Sequence, residues 1–188
     1  MTLTLPRIPP LPRDQWTDAA RDLFAIMEGP EAREHGSKFN VVLTLAHHPQ
    51  LASAFMGYYK TLLEQSTVPL RLRELVTLRV ALLQKSEYEW TQHVVISKQV
   101  GFGDEHIEAI RQGPTASLWS DLESAALQAV DQLATSANID DATWSALGRH
   151  LNAKEQIELL FVIGTYTLLC WAFNAMGVPL ETVTHARA

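Results

Sequence analysis

Three ionisable side chains between residues 74 and 93 have the types and spacing that proton transfer requires. Glu89 and His93 are four residues apart, so on a helix their carboxylate and imidazole can meet directly. At 100° per residue, Ser86 and Trp90 fall on the same third of the helix circumference. A carboxylate beside an imidazole stabilises the protonated ring and fixes its tautomer. The pattern therefore predicts a proton donor or acceptor that works near neutral pH.

A second carboxylate, Glu74, lies at the head of the preceding apolar segment. Two acids in different environments suit a site that delivers one proton and stabilises another, and Trp90 could form the apolar wall of a small-molecule pocket. A structural interpretation stays open beside this one. Glu89 and His93 could form an ordinary surface pair worth about 0.3–0.5 kcal/mol, and Glu74 could pair with Arg71 one turn earlier.

Other residues give weaker signals. One imidazole with two carboxylates makes a poor metal signature, so we predict no metal site. His47 lies at a junction between two helices, where capping a helix C-terminus is favoured over ligand binding. Cys170 is the single cysteine; it predicts a small buried apolar side chain and a reducing, cytoplasmic compartment.

Nearly every segment has helical periodicity, and none has the β-branched alternation of a strand. We therefore expect an all-α fold, a compact bundle of eight to nine helices, with a proline-rich arm over residues 1–13 and a single domain over residues 14–188. A weak echo between residues 70–81 and 151–162 suggests two related helical halves. The predicted helices are Asp14–Met27, Phe39–His47 with Asn40 as a possible N-cap, Pro49–Ser66, Leu70–Gln84, Ser86–Val100, Asp104–Gln112, Ser120–Ala137, Asp140–Leu151 and a last one that Asn152–Glu155 open.

Composition narrows the classes of partner. The net charge is −6 and no basic cluster follows the chain, so we expect no nucleic-acid partner. Residues 157–178 form an apolar run long enough to span a membrane. They lack flanking Lys/Arg clusters and aromatic belts. We therefore favour the central helix of a soluble bundle, or a subunit interface, and expect no membrane partner.

Two segments resemble the central motif of the carboxymuconolactone decarboxylase family: Arg73–Ala81, and Glu87-Tyr88-Glu89-Trp90 followed by His93. The resemblance extends over about residues 38–180. It implies an all-α, alkylhydroperoxidase-like fold and no organic cofactor. It also implies a homo-oligomer, a trimer or hexamer with a dimer as the alternative.

The alkylhydroperoxidase branch of this superfamily carries a Cys-x-x-Cys whose positions fall here on Ser86 and Glu89. Without those two thiols a disulfide-cycling peroxidase is disfavoured. The resemblance then implies a cofactor-free lyase, decarboxylase-like, acting on a small carboxylated lactone or related ring compound in aromatic catabolism. His93 would donate the proton, Glu89 would orient and charge it, and Glu74 would complete the relay. The remaining candidates bind substrate: Tyr88, Trp90, Ser86, Arg79 and His47. A non-catalytic helical oligomer remains a further alternative.

Overall fold

The computed structural model describes residues 5–181, and within them the chain is entirely helical. The expected all-α fold is therefore confirmed. These residues form a short 3-10 turn at Arg13–Gln15 and ten α-helices. The helices are α1 Asp18–Glu28, α2 Ala32–His35, α3 Asn40–Leu45, α4 Pro49–Glu64, α5 Leu70–Leu83, α6 Glu87–Gln99, α7 Asp104–Gln112, α8 Asp121–Ser136, α9 Asp141–Gly148 and α10 Ala153–Met176.

The described residues divide into two compact units, residues 5–65 with 172–181, and residues 66–171. The first contains α1 to α4 around buried Leu23, Phe24 and Met56. The second contains α5 to α9 and most of α10. Both segments of the sequence echo, residues 70–81 and 151–162, lie in the second unit. The predicted single domain over residues 14–188 stays a prediction.

Several predicted helix ends match the structure because local side chains cap them. Ser120 and Glu123 form a reciprocal capping box at the start of α8. Asn152 and Glu155 likewise exchange hydrogen bonds before α10, with the Asn152 amide N 2.8 Å from Glu155 Oε2. These polar side chains satisfy amide groups that the first helical turn leaves without partners.

Three local predictions differ from the structure. The first helix begins at Asp18 because Thr17 caps it and residues 13–15 form the 3-10 turn. Asn40 is not an N-cap; it is the first residue of α3, and its side chain donates to the carbonyls of Pro179 and Leu180. The one-turn helix α2 lies between the first two predicted helices, where no helix was predicted.

A tight turn between α5 and α6 sets the geometry of the second unit. Lys85 adopts a left-handed conformation with φ 53°. The Lys85 and Ser86 amides donate back to the carbonyls of Leu82 and Ala81, the Schellman arrangement that ends a helix. Ser86 then caps α6 at once, its hydroxyl accepting from the Glu89 amide. The two helices therefore lie side by side, and their facing side chains meet.

Helix α10 is the one helix among the described residues that is long and apolar enough to cross a membrane, with a mean hydropathy of 1.7 over its most apolar window. Length and composition alone do not distinguish a membrane span from a central bundle helix. In this chain 44% of that window is buried within the protein.

Candidate acid–base site

The His93 imidazole lies between two carboxylates in the second unit. Its Nδ1 is 2.7 Å from Oε2 of Glu74, on α5, and its Nε2 is 3.3 Å from Oε2 of Glu89, one turn earlier on α6. All three side chains are at most 7% exposed. The structure therefore brings together the three residues predicted to carry the chemistry. The closer partner is Glu74, from the neighbouring helix, rather than the local i,i+4 residue.

This environment fixes the charge of the ring. Burial by itself lowers the pKa of His93, but hydrogen bonds to Glu74 and Glu89, with their negative charges, overcome it and raise the pKa to about 10. The ring is therefore an imidazolium at neutral pH, with a donor N–H at each nitrogen. The two carboxylates accept from the two N–H groups of the imidazolium and hold the ring in a fixed orientation. This is the arrangement of a positioned general acid.

Tyr166, on α10, completes the surroundings of the imidazole. Its ring meets the His93 ring edge to face, with centroids 4.9 Å apart and planes at 86°. An aromatic contact of this kind restricts ring rotation and excludes water. Nothing in the sequence marks Tyr166, because the apolar pattern of α10 does not show which of its faces meets α6.

Cys170, one turn beyond Tyr166, is fully buried and hydrogen-bonds the side chain of Ser86. Burial, together with the nearby charge of Glu89, raises the pKa of the Cys170 thiol to about 12. The sequence correctly indicates a buried cysteine. Its position beside Ser86 and Glu89, where the alkylhydroperoxidase branch has its two cysteines, depends on tertiary packing and could not be predicted.

The guanidinium of Arg79 has partners inside the protein. It forms two hydrogen bonds of 2.7 Å with the carboxylate of Asp131 on α8, and it donates to the Ile110 carbonyl at the end of α7. The side chain is 10% exposed. The charge of Arg79 is therefore paired within the protein and links α5 to α7 and α8, and its predicted role in substrate binding stays a prediction.

The other predicted substrate-binding residues fall in different places. Tyr88 is buried, and Trp90 is half-buried with the Arg111 guanidinium 4.5 Å above its ring. His47 belongs to the first unit, where its Nε2 is 3.0 Å from the Pro9 carbonyl oxygen. It is therefore tied to the N-terminal arm, and its predicted role in substrate binding stays a prediction.

A groove in the second unit lies apart from the acid–base residues. It has a volume of about 480 Å³ and lies between α5, α8 and α10. Its apolar walls include Val80, Leu133 and Ile163, with Gln84 and Thr167 as the polar members. His93 and its two carboxylates lie instead among α5, α6 and α10, where their side chains are at most 7% exposed.

Comparison with known proteins supports the resemblance seen in the sequence. Residues 49–132 match the model of the carboxymuconolactone decarboxylase family, a segment that contains Glu74, Glu89 and His93. No curated protein matches the chain.

Among the described residues, no group of three or more His, Cys, Asp or Glu side chains has an arrangement that could hold a metal ion.

Solved structures share the fold at low sequence identity. The debrominase Bmp8 is 22% identical, with a TM-score of 0.74 over 97% of this chain and 94% of that one. An uncharacterised peroxidase-related protein from Silicibacter sp. is 19% identical, with a TM-score of 0.76 over 100% and 98% of the two chains. A protein from Ralstonia eutropha described as an alkylhydroperoxidase AhpD core is 19% identical, with a TM-score of 0.75 over 93% of each chain.

Identities below 25% establish the fold and leave the activity open. The family match adds the segment that holds the acid–base residues, and the described helices have the fold of alkylhydroperoxidase-like proteins. Residues 49–132 are therefore similar to the carboxymuconolactone decarboxylase family, and the chain shares its fold with alkylhydroperoxidase-like proteins.

Proposed function

We propose that this protein is a cofactor-free lyase that removes carbon dioxide from a small carboxylated lactone or related ring compound. The observation that carries the proposal is the His93 imidazolium held between Glu74 and Glu89. A decarboxylation of this type needs a proton in a defined position once the carboxylate has left. The pair of carboxylates provides both the position and the charge.

The reaction balances with the groups present. The bond between the ring carbon and the carboxylate breaks, carbon dioxide leaves, and the electron pair remains as a dienolate. The imidazolium of His93 gives its proton to the dienolate carbon, and the ring takes up another proton from water. The longer contact, 3.3 Å from Nε2 to Glu89, is the weaker hydrogen bond, so we assign proton delivery to that nitrogen while Glu74 holds Nδ1.

A peroxide-reducing oxidoreductase is the less favoured function. That chemistry needs one thiolate to attack the peroxide and a second thiol to resolve the sulfenic acid. The sequence has one cysteine, and burial and the nearby charge of Glu89 hold the pKa of the Cys170 thiol at about 12. Ser86 and Glu89 occupy the positions of the cysteine pair, so neither thiol of that pair is present.

One observation keeps a thiol reaction as the second candidate. Cys170 contacts Ser86 inside the same cluster, and the structural neighbour Bmp8 is a debrominase, a variant of which was solved with 2,3,4-tribromopyrrole. A halogenated ring compound is therefore a reasonable second substrate class to assay. The third possibility, a non-catalytic oligomer, predicts that the acid–base residues contribute only to stability.

The proposal places the enzyme in the cytoplasm, as a homo-oligomer acting on a small molecule. A single cysteine suits a reducing compartment. The net charge of −6 favours a soluble protein without a nucleic-acid partner. Aromatic catabolism is the metabolic setting in which carboxylated lactones arise, and it is where substrates should first be sought.

The test is carbon dioxide release from 4-carboxymuconolactone and related lactone acids. His93→Asn should abolish release while leaving helix content and oligomeric state unchanged. His150→Asn is the matched control, because His150 is an exposed histidine of the same unit, and this variant should keep full activity. If the wild type releases no carbon dioxide from any lactone acid, or if both variants behave alike, decarboxylation by His93 is wrong.

A further inference from the structure

Thr77 carries a buried hydroxyl group in the middle of α5. The residue is 1% exposed, and its Oγ1 has no hydrogen-bond partner among the residues that the structure describes. Such a group costs stability, because its hydrogen bonds to water are lost on folding and no bond within the fold replaces them. Buried polar groups are nearly always paired, so this hydroxyl calls for a specific explanation. A partner that comes from outside the chain is one.

Other threonines on the helices of this chain satisfy their hydroxyls locally. Thr61, Thr135 and Thr167 each donate to the carbonyl oxygen four residues earlier, at 3.2, 2.9 and 2.8 Å. Thr77 has the equivalent carbonyl in the same helix, that of Arg73, but its hydroxyl makes no bond to it. The usual local bond therefore does not hold this hydroxyl, which is left able to bind a ligand.

Helical geometry places Thr77 beside the acid–base cluster. At 100° per residue, it lies about 60° from Glu74 and about 20° from Gln84 around the axis of α5. The Glu74 side chain meets His93 of α6. The Gln84 side chain accepts from the Trp171 indole of α10, 2.7 Å away. Thr77 therefore lies on the strip of α5 between these two contacts, next to Glu74 and turned towards α10.

The proposed reaction needs a hydrogen-bond donor at a second atom of the substrate. When carbon dioxide leaves, the electron pair spreads to the lactone carbonyl oxygen of the dienolate, whereas His93 protonates the ring carbon. A donor that faces this oxygen stabilises the negative charge that develops on it. A hydroxyl group suits this role, because it donates a hydrogen bond and keeps its own proton. The balance of the reaction is therefore unchanged.

We propose that Thr77 is a substrate-binding residue whose hydroxyl donates a hydrogen bond to the carbonyl oxygen of the lactone ring. This role rests on the proposed decarboxylation and narrows its substrate class to ring compounds with a carbonyl oxygen conjugated to the carbon that is protonated. A ring compound without this oxygen leaves the hydroxyl unpaired, and the site discriminates against it. The lactone carbonyl is thus a group that the enzyme recognises.

Paired substitutions of Thr77 and Thr44 test this role. Thr44, in the first unit, is 2% exposed, and its hydroxyl likewise has no partner among the described residues. Valine removes the hydroxyl and keeps the side-chain shape, so Thr77→Val and Thr44→Val should each raise the melting temperature by about 2–4 °C. In the carbon dioxide release assay, Thr77→Val should lower kcat about 100-fold, and Thr44→Val should leave it unchanged. Thr77→Ser, which keeps the hydroxyl, should recover most of the loss.

Two results of these measurements would overturn the assignment. A normal kcat in Thr77→Val would leave Thr77 a core residue without a part in the reaction. A melting temperature that falls in Thr77→Val and rises in Thr44→Val would show that the Thr77 hydroxyl has a partner within the fold.

A binding measurement separates this role from the reaction itself. If the wild type releases no carbon dioxide from any lactone acid, the proposed reaction is wrong, and binding of γ-crotonolactone to the full chain then decides the role of Thr77. This probe is an unsaturated lactone without a carboxylate, and saturation-transfer NMR follows its binding. An affinity about 10-fold lower in Thr77→Val, and unchanged in Thr44→Val, supports the role. Equal affinity in both variants, or no binding by the wild type, overturns it.

Discussion

Raising the pH should weaken the fold, because the buried imidazolium of His93 loses its proton. The two carboxylates raise the pKa of this ring from 6.5 to about 10 in the folded chain. In the unfolded chain the ring loses its proton near its ordinary pKa. The stabilisation is therefore fully present below about pH 6.5, and it is lost as the pH rises through about 10.

Between about pH 6.5 and about pH 10, the folded chain holds one more proton on His93 than the unfolded chain does. This difference sets how steeply the free energy of unfolding changes with pH. The free energy of unfolding should fall by about 1.4 kcal/mol for each pH unit inside this window. Between about pH 7 and about pH 9 the loss through His93 amounts to about 2 to 3 kcal/mol. Other groups titrate over the same range, so the informative quantity is the difference between the wild type and His93→Gln, which keeps a polar side chain but has no titrating ring.

The assay is urea unfolding, followed by circular dichroism, at several pH values and one protein concentration. The gap in unfolding free energy between wild type and His93→Gln should narrow as the pH rises. In parallel, the ¹⁵N chemical shifts of the His93 ring should remain those of an imidazolium up to about pH 9. A constant gap, together with ring shifts that titrate near 6.5, would refute the description of His93 as a permanently charged acid.

Three further predictions follow from single contacts. Arg79→Met should lower the free energy of unfolding by about 3 kcal/mol, because it leaves the Asp131 carboxylate without its partner; denaturant unfolding checks this, and a loss of activity without a loss of stability would contradict it. Lys85→Gly should stabilise the chain by about 0.5 kcal/mol, since glycine adopts the left-handed turn without side-chain strain; an unchanged or lower melting temperature would count against this. Cys170 should resist a thiol reagent such as dithionitrobenzoate until the protein unfolds, because it is buried and its pKa is raised to about 12; rapid labelling of the native protein would disprove it.

The local parts of the fold could be predicted from the sequence because local interactions determine them. Ser120 with Glu123, and Asn152 with Glu155, cap helices through contacts three residues apart. The proximity of Glu89 and His93 likewise follows from helical spacing. The one-turn α2 was missed because four residues give no periodic signal.

The rest of the site depends on contacts between residues distant in sequence, which periodicity does not encode. Glu74 is the closest partner of His93, although 19 residues separate them. Arg79 finds Asp131 across 52 residues, and so it resembles a free cation in the sequence while being a core residue in the structure. Cys170 reaches Ser86 only because α10 packs on that side of α6.

The most direct test of the central claim, that His93 rather than Cys170 carries the reaction, compares His93→Asn with Cys170→Ser in one carbon dioxide release assay. An imidazolium that supplies the proton predicts loss of release in His93→Asn and near-normal release in Cys170→Ser. Normal release in His93→Asn, with loss in Cys170→Ser, would contradict the claim and assign the chemistry to the thiol.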